Sequence, residues 1–349
     1  MLILGHDDVT ALLDGRELDV VELVRQTYRR HDEGGTVLPH SVFLRFPDAP
    51  RDRIIGLPAY VGGPQPVAGL KWISSFPGNI ERGIARASAA ILVNSLATGH
   101  PEALLEGAVI SARRTAASAA LAADLLTAQR RPAGVALIGC GVINFEVLRF
   151  LAALLPAFAQ VTLYDHDPAR AEGFALRAAA LCPKAVFTVA PDTAAALAAQ
   201  PLVSLATTAG EPHLDLSACA PGTRVLHVSL RDIDPAALLT VANVVDDVDH
   251  VCRERTSLHL AELATGGRDF IHATIGGLIR GLAPVPGPDT TAVFSPFGLG
   301  VLDLALAAWV RDEARRTGAG TTVTGFLGGG PNPGPGTAGQ PHLTQGEHP

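Results

Sequence analysis

Cysteine is scarce and scattered. The 349-residue chain has four, Cys140, Cys182, Cys219 and Cys252, with no Cys-x-x-Cys pair and no Cys/His ligand spacing. Thiols so placed in a chain this long argue against a disulfide framework or a structural zinc, and point to a reducing compartment. A basic surplus is also missing: the formal net charge is -7, the wrong sign for a protein that grips phosphate backbones. It remains compatible with a small anionic substrate, provided one pocket is locally basic. No apolar run is long enough to span a bilayer, because the most apolar stretch, 147–159, is interrupted by Arg149 and Pro156. Met1–Asp8 lacks the basic segment of an export signal and meets acids at once, so a cytoplasmic location is expected. There is no Gly-x-Ser-x-Gly turn, and the twelve histidines show no metal spacing; neither a hydrolase nor a metal site is expected. His213, His227, His250, His259 and His272 read as surface or satisfied core residues.

What is present suffices for large cores: 48% hydrophobic residues against 17% charged. The length exceeds what one core supports, which predicts two domains. Helices are predicted over Val9–Leu13, capped by Asp7 or Asp8, and over Val20–Arg30, capped by Asp19. Strand patterns follow at Val37–Phe46, Arg53–Val61, Val67–Ser74, Ala89–Ala97 and Ala103–Leu105, making an α+β unit of about 110 residues. A helix rich in small residues, Ala112–Thr127, then bridges to a different pattern. From Arg131 onward short β-branched runs (Val135–Ile138, Val161–Tyr164, Val186–Val189, Leu202–Ala206, Arg224–Val228) alternate with helical segments, among them Phe145–Leu155 and Pro168–Leu181. Such alternation predicts a parallel, doubly wound sheet. From about Thr317 the chain turns Gly/Pro-rich and is expected to be disordered.

Val135-Ala-Leu-Ile-Gly139-Cys-Gly141-Val142-Ile143-Asn144 reads as a strand, a glycine turn and a helix. Gly139 permits the tight turn, Gly141 lets backbone approach a pyrophosphate, and the helix start at Val142 and Ile143 offers free N–H groups and a positive dipole end. The third glycine of the dinucleotide fingerprint is replaced by Asn144. Asp165, ending the next strand, stands at the spacing from which a carboxylate takes the adenosine ribose hydroxyls and repels a 2′-phosphate. The cofactor expected is therefore NAD, in a Rossmann-type domain. Thr207 and Thr208 end a further strand at the same edge and are candidate cofactor contacts.

Three segments combine charge with apolar surroundings: Lys71 beside Trp72, Arg113-Arg114 near the start of the small-residue helix, and Arg231-Asp232 after a strand of the second pattern. Two arginines at a helix N-terminus oppose its dipole, so a nearby anion is expected. A guanidinium grips a carboxylate with two prongs. Arg45 and His40, in the early strand region, are further candidates for the same anionic pocket.

Lys71, Ser75-Phe-Pro-Gly-Asn79, Ala112-Arg-Arg114-Thr-Ala-Ala-Ser118, Gly139-Cys-Gly141 and Arg231-Asp232 together resemble the ornithine cyclodeaminase/mu-crystallin family over about residues 1–315. The resemblance implies an α/β homodimer with a discontinuous α+β substrate-binding and dimerisation domain (1–116 and 298–316) and a Rossmann NAD domain (117–297). Residues 317–349 are left as a tail. It implies carboxylate binding by Lys71 and Arg114 and a catalytic acid/base at Asp232, with Lys71 also catalytic. Lys71–Ile80 and Leu104–Arg113 are most similar to the branch that oxidatively cleaves N-(2-amino-2-carboxyethyl)-L-glutamate, a route to 2,3-diaminopropionate for siderophores and peptide antibiotics. Arg231 stands where ornithine cyclodeaminase has glycine and adds a cation suited to extra carboxylates. Other readings within the family remain: ornithine cyclodeaminase, alanine dehydrogenase or ketimine reductase. From outside enzymology there remains a non-catalytic crystallin-like binder, against which the joint presence of Lys71, Arg114 and Asp232 speaks.

Overall fold

Runs of four or five β-branched and apolar residues, too short for helices, become the buried strands of a parallel sheet in the computed structural model, which describes residues 1–155 and 158–328. Side by side the strands are Val186–Val189, Gln160–Tyr164, Gly134–Ile138, Leu202–Leu205, Arg224–His227, Ala292–Ser295, Ala242–Val245 and Ile271–Thr274, and every pairing is parallel. The strand order reverses between Gly134–Ile138 and Leu202–Leu205. In open sheets of this kind the crevice outside the carboxyl ends at that reversal takes ligands. Gly139, Ala206 and the segment after His227 all lie at that edge.

A second, mixed sheet is built from the early strands. Its order is Thr321–Thr322, Leu2–Leu4, Pro101–Glu106, Ala87–Asn94, Val67–Ser75, Ala49–Val61 and Thr36–Val37, with Val42–Phe46 paired to Ala49–Val61. Period-two alternation gives Val67–Ser75 two unlike faces. Val67, Lys71 and Ser75 are buried, whereas Trp72 on the opposite face is 44% exposed. The buried face is covered by the helix Gly300–Thr317. A Cβ at Gly69 would run into the Leu92 carbonyl and lie 3.2 Å from Leu304, and one at Gly300 would lie 3.2 Å from the Leu57 Cβ. These glycines let the helix sit close enough to the strands for its acid, Asp303, to reach Lys71.

Between the two sheets runs Ala108–Leu126. Its alanines and Ser118 are buried, and the Ser118 hydroxyl meets Tyr28 of the helix Glu17–Asp32 at 2.6 Å. Small side chains permit this close packing on several sides at once.

Several sequence expectations need correction. The helix begins at Ala108, capped by Glu106, whose carboxylate accepts from the Ala108 and Val109 amides at 2.7 and 3.1 Å. Arg113 and Arg114 therefore stand more than a turn inside it, and the dipole argument for an anion does not apply to them. Asp19 lies inside its helix and does not cap it. The tail does not dissolve at Thr317. Gly318 and Gly320 adopt φ of 75° and 85°, open only to glycine at little cost, and turn Thr321–Thr322 back onto Leu2–Leu4. The Met1 ammonium donates to the Val323 carbonyl at 2.8 Å. Glycine here marks a turn. The break at Pro156 and the run from 329 lie outside the described residues. Among those described, no helix is long and apolar enough to cross a membrane.

We expect Gly69→Ala to lower stability by about 1–3 kcal/mol, because the strands and the covering helix cannot both stay in place. The urea midpoint should fall with little change in slope; an unchanged midpoint would show that the helix has slack.

Candidate active site

The glycine turn has the shape a dinucleotide needs. Gly139 has φ 91°, and a Cβ there would lie 2.5 Å from the Ala206 carbonyl oxygen, so only glycine fits. Gly141 faces open space, with nothing within 4 Å of a Cβ built on it. The following helix, Val142–Leu154, has no side-chain cap, so its first amides point into that space without an internal acceptor. Val142 is exposed and Ile143 half-buried. Asn144 takes over the third glycine's task by another means. Fully buried, it donates to the Ile138 and Gly139 carbonyls at 3.0 and 2.8 Å and accepts from Ser204 at 2.7 Å, pinning helix to strands with hydrogen bonds instead of bare contact.

Asp165 sits beside this turn. Its carboxylate accepts from the Cys140 amide at 2.8 Å and the Asp167 amide at 3.1 Å, which fixes it at the rim. The Arg170 guanidinium lies 3.9 Å away. The two threonines separate. Thr208 is exposed at the strand end, whereas the Thr207 hydroxyl turns away to donate to Asp232.

Asp232 is fully buried and its oxygens are occupied. Thr207 donates to Oδ1 and Ser229 to Oδ2, and His227 Nε2 lies 3.3 Å from Oδ2. On its other side His227 meets Ser295 at 3.2 Å. Burial alone would raise the carboxyl's pKa, but the His227 contact and the two hydroxyls outweigh it and bring it down to about 2. Asp232 is thus held as an anion. The acid/base role that the resemblance implies thus falls on a carboxylate flanked by two hydroxyl donors, and His227 is a satisfied core residue whose partners are Asp232 and Ser295.

Lys71 and Arg114 come together around a residue the sequence reading passed over. Asp303 is fully buried; its Oδ2 lies 2.6 Å from Lys71 Nζ and its Oδ1 3.0 Å from Arg114 Nε. The Ser111 hydroxyl stands 3.3 Å from the lysine and 3.5 Å from Arg114 Nη2. Two cations facing one carboxylate leave a surplus positive charge in a dry place, which attracts a further anion. Burial first, and Arg114 after it, lower the lysine pKa to about 8 against the raising effect of Asp303. The signal for Asp303 was present as an acid amid Val301-Leu-Asp-Leu-Ala305, since a buried carboxylate must find a partner. Arg113, by contrast, is structural: it donates to the Leu13 carbonyl at 2.8 Å and pairs with Asp14.

Arg231 and Arg45 meet through Glu254. Arg231 donates to its carbonyl at 2.8 Å, and Arg45 pairs with its carboxylate at 2.6 Å. His40 is not part of that group; it packs edge-on against His250, with ring centroids 5.3 Å apart.

A parallel sheet with an uncapped glycine turn at its reversal, beside a mixed sheet that buries cations, defines an α/β protein of the dinucleotide-binding class. The chain belongs to the ornithine cyclodeaminase/mu-crystallin family, whose pattern it matches over residues 4–318. N-((2S)-2-amino-2-carboxyethyl)-L-glutamate dehydrogenase of Staphylococcus aureus is 26% identical over 332 residues, covering 93% of this chain and 98% of that relative. Among solved structures, CmnK is 30% identical with a TM-score of 0.84, covering 94% of this chain and 99% of the other. Thermococcus litoralis Δ(1)-pyrroline-2-carboxylate reductase, solved with NADH and L-proline, gives a TM-score of 0.86 at 24% identity, covering 93% and 100%.

The chain has only two lysines, Lys71 and Lys184, so each can be resolved by NMR after reductive methylation with a labelled carbon. Removing the carboxylate that raises it, by Asp303→Asn, should push the Lys71 titration further below about 8. A titration that stays put or moves up would contradict the assigned pairing.

Proposed function

We propose that this chain is an NAD-dependent oxidoreductase acting at the CH–NH group of an amino acid. Its substrate is N-(2-amino-2-carboxyethyl)-L-glutamate, cleaved to 2-oxoglutarate and L-2,3-diaminopropionate. The observation that carries the reading is the buried Lys71–Asp303–Arg114 group, with its one unbalanced positive charge, in a chain that also holds an uncapped glycine turn. The amides of Val142 and Ile143, over Gly139 and Gly141, hold the pyrophosphate of NAD, Asp165 takes the ribose hydroxyls, and Thr208 is free to add a contact. NAD, when bound, supplies the two-electron acceptor.

The protein does the rest through placement and charge. Lys71 and Arg114 hold a substrate carboxylate and so fix which C–H bond faces the acceptor, an alignment worth several kcal/mol. As the α-hydrogen leaves with its electron pair, positive charge grows on the substrate nitrogen. Asp232, already ionised, stabilises that charge without reorganising. The amine proton leaves through the Ser229 or Thr207 hydroxyl, which passes its own proton to the Asp232 carboxylate that it already touches; Asp232 returns that proton to the departing amine. Water then adds to the imine carbon, the C–N bond breaks, and the primary amine departs with a proton. The products are a keto acid, an amine and one reduced cofactor per turnover. A homodimer in the cytoplasm, making a precursor for siderophores or peptide antibiotics, completes the reading.

Lys71 also sets a pH limit. Carboxylate binding needs the ammonium form, which is fully present below about 8 and lost above it. Substrate affinity should therefore fall as pH rises through that region, while NAD affinity does not.

Incubation with NAD⁺ and the purified amine, followed at the reduced-nicotinamide absorbance with product masses determined, tests the assignment. Stoichiometric NADH with 2-oxoglutarate supports it; ammonia without net NADH would make the chain a cyclodeaminase. Asp232→Asn should reduce kcat by roughly 10²–10⁴ with NAD binding intact. Undiminished turnover would remove Asp232 from the chemistry.

A further inference from the structure

The face of the mixed sheet that carries Lys71 holds more arginine than one carboxylate requires. Arg53 lies directly across from Arg45 on one side and from Ser75 on the other, so all three point to the same face. Lys71 is on that face too, four residues along the strand from Ser75, a separation of roughly 13 Å. Arg86 reaches in from the neighbouring strand turn and donates to the Ser75 hydroxyl at 2.7 Å. From the other sheet comes Arg231, held by the Glu254 carbonyl, while the Glu254 carboxylate pairs with Arg45. Four guanidinium groups thus gather with one carboxylate among them.

Three features mark this as built for an anion. Among the described residues Arg53 and Arg86 have no carboxylate within ion-pairing distance, although both are half-buried. Burial above all lowers the pKa values of Arg53, Arg86 and Arg231, and repulsion adds to it: Arg45 acts on Arg53, Arg53 on Arg86, and Arg53 and Arg45 on Arg231, against the raising effect of Glu254 on Arg53 and Arg231. Among the described residues the three non-glycine ones with positive φ, Leu230 at 69°, Glu254 at 54° and Arg255 at 54°, all adjoin the contact between Arg231 and Glu254. Such strain persists where surrounding structure holds a segment for use.

We propose that Arg53 and Arg86, with Arg231, form a second carboxylate subsite that selects amino acids carrying several acidic groups over those carrying one. Lys71 and Arg114 take the carboxylate next to the reacting carbon, and the arginines take the far end of an elongated polyanion. Glu254 holds Arg45 and Arg231 in position until that end arrives. This inference rests on the carboxylate-binding role given to Lys71 and Arg114 above, and it adds residues to the site that carry specificity and no chemistry.

The test is calorimetric titration of the NADH-loaded protein, in which no turnover occurs, with N-(2-amino-2-carboxyethyl)-L-glutamate and with L-alanine. The tricarboxylate should bind at least about tenfold more tightly, and Arg53→Gln and Arg86→Gln should each erase most of that margin while leaving L-alanine binding unchanged. Arg53→Lys, which keeps the charge and loses the fork, should restore part of it, which a purely structural role would not predict. Should Arg53→Gln fail to fold, Arg86→Gln and Arg231→Gln carry the same comparison. A margin that survives these substitutions, or none in the wild-type protein, overturns the subsite. A margin that responds as stated, without NADH formation when NAD⁺ replaces NADH, keeps the subsite and rejects the proposed reaction.

Discussion

Two cations and one carboxylate, all withdrawn from water, share the space between the mixed sheet and its covering helices. Lys71, Arg114 and Asp303 come from a strand and two helices far apart in the chain, and Asp303 is the counter-charge that both buried cations share. Asp303 reaches them because Gly69 and Gly300 let its helix lie close against the strands. Arg114 reaches them because the helix that carries it is rich in small residues and packs between the two sheets. The cluster is both a fastening between elements and a site with charge to spare.

The same economy recurs at the acid. Asp232 could have been buried neutral, but His227, Ser229 and Thr207 supply enough donors to keep it ionised. Its negative charge and the positive surplus of the Lys71 cluster belong to different sheets. A zwitterionic or polyanionic amine, with carboxylates and a nitrogen that turns cationic as it is oxidised, matches both signs. The parallel sheet contributes the glycine turn at its reversal and the anchored anion; the mixed sheet contributes the cations. Neither half is sufficient for the proposed reaction.

Asn144 shows how a motif departs from its pattern without losing its purpose. A third glycine lets helix and strand approach by removing a side chain. Asn144 achieves attachment by satisfying two strand-end carbonyls and a serine hydroxyl in the interior. A weak fingerprint on paper is a tightly held turn in space.

The sequence by itself determined the parallel sheet, the glycine turn and the acid at the end of the next strand, because periodicity, turn chemistry and local spacing are properties of neighbouring residues; it singled out the charged segments at Lys71, Arg113-Arg114 and Arg231-Asp232, while the roles expected of Lys71, Arg114 and Asp232 came from the family resemblance. It misplaced the start of the Ala108 helix, since the capping Glu106 is itself the last residue of the strand Pro101–Glu106 and carries no usual cap signature, and it took Gly318 and Gly320 for disorder when they are turns. Tertiary structure alone decided that Arg113 turns to Leu13 and Asp14 and Arg114 to Asp303, although they are adjacent. It also decided that Thr207 and His227 contact Asp232, that Asp303 is the partner of Lys71, and that Arg86 reaches the serine opposite Arg53. The physical reason is the same in each case: charge is balanced between elements that meet only when the sheets are assembled, and no periodicity along one segment records which distant group will be the partner.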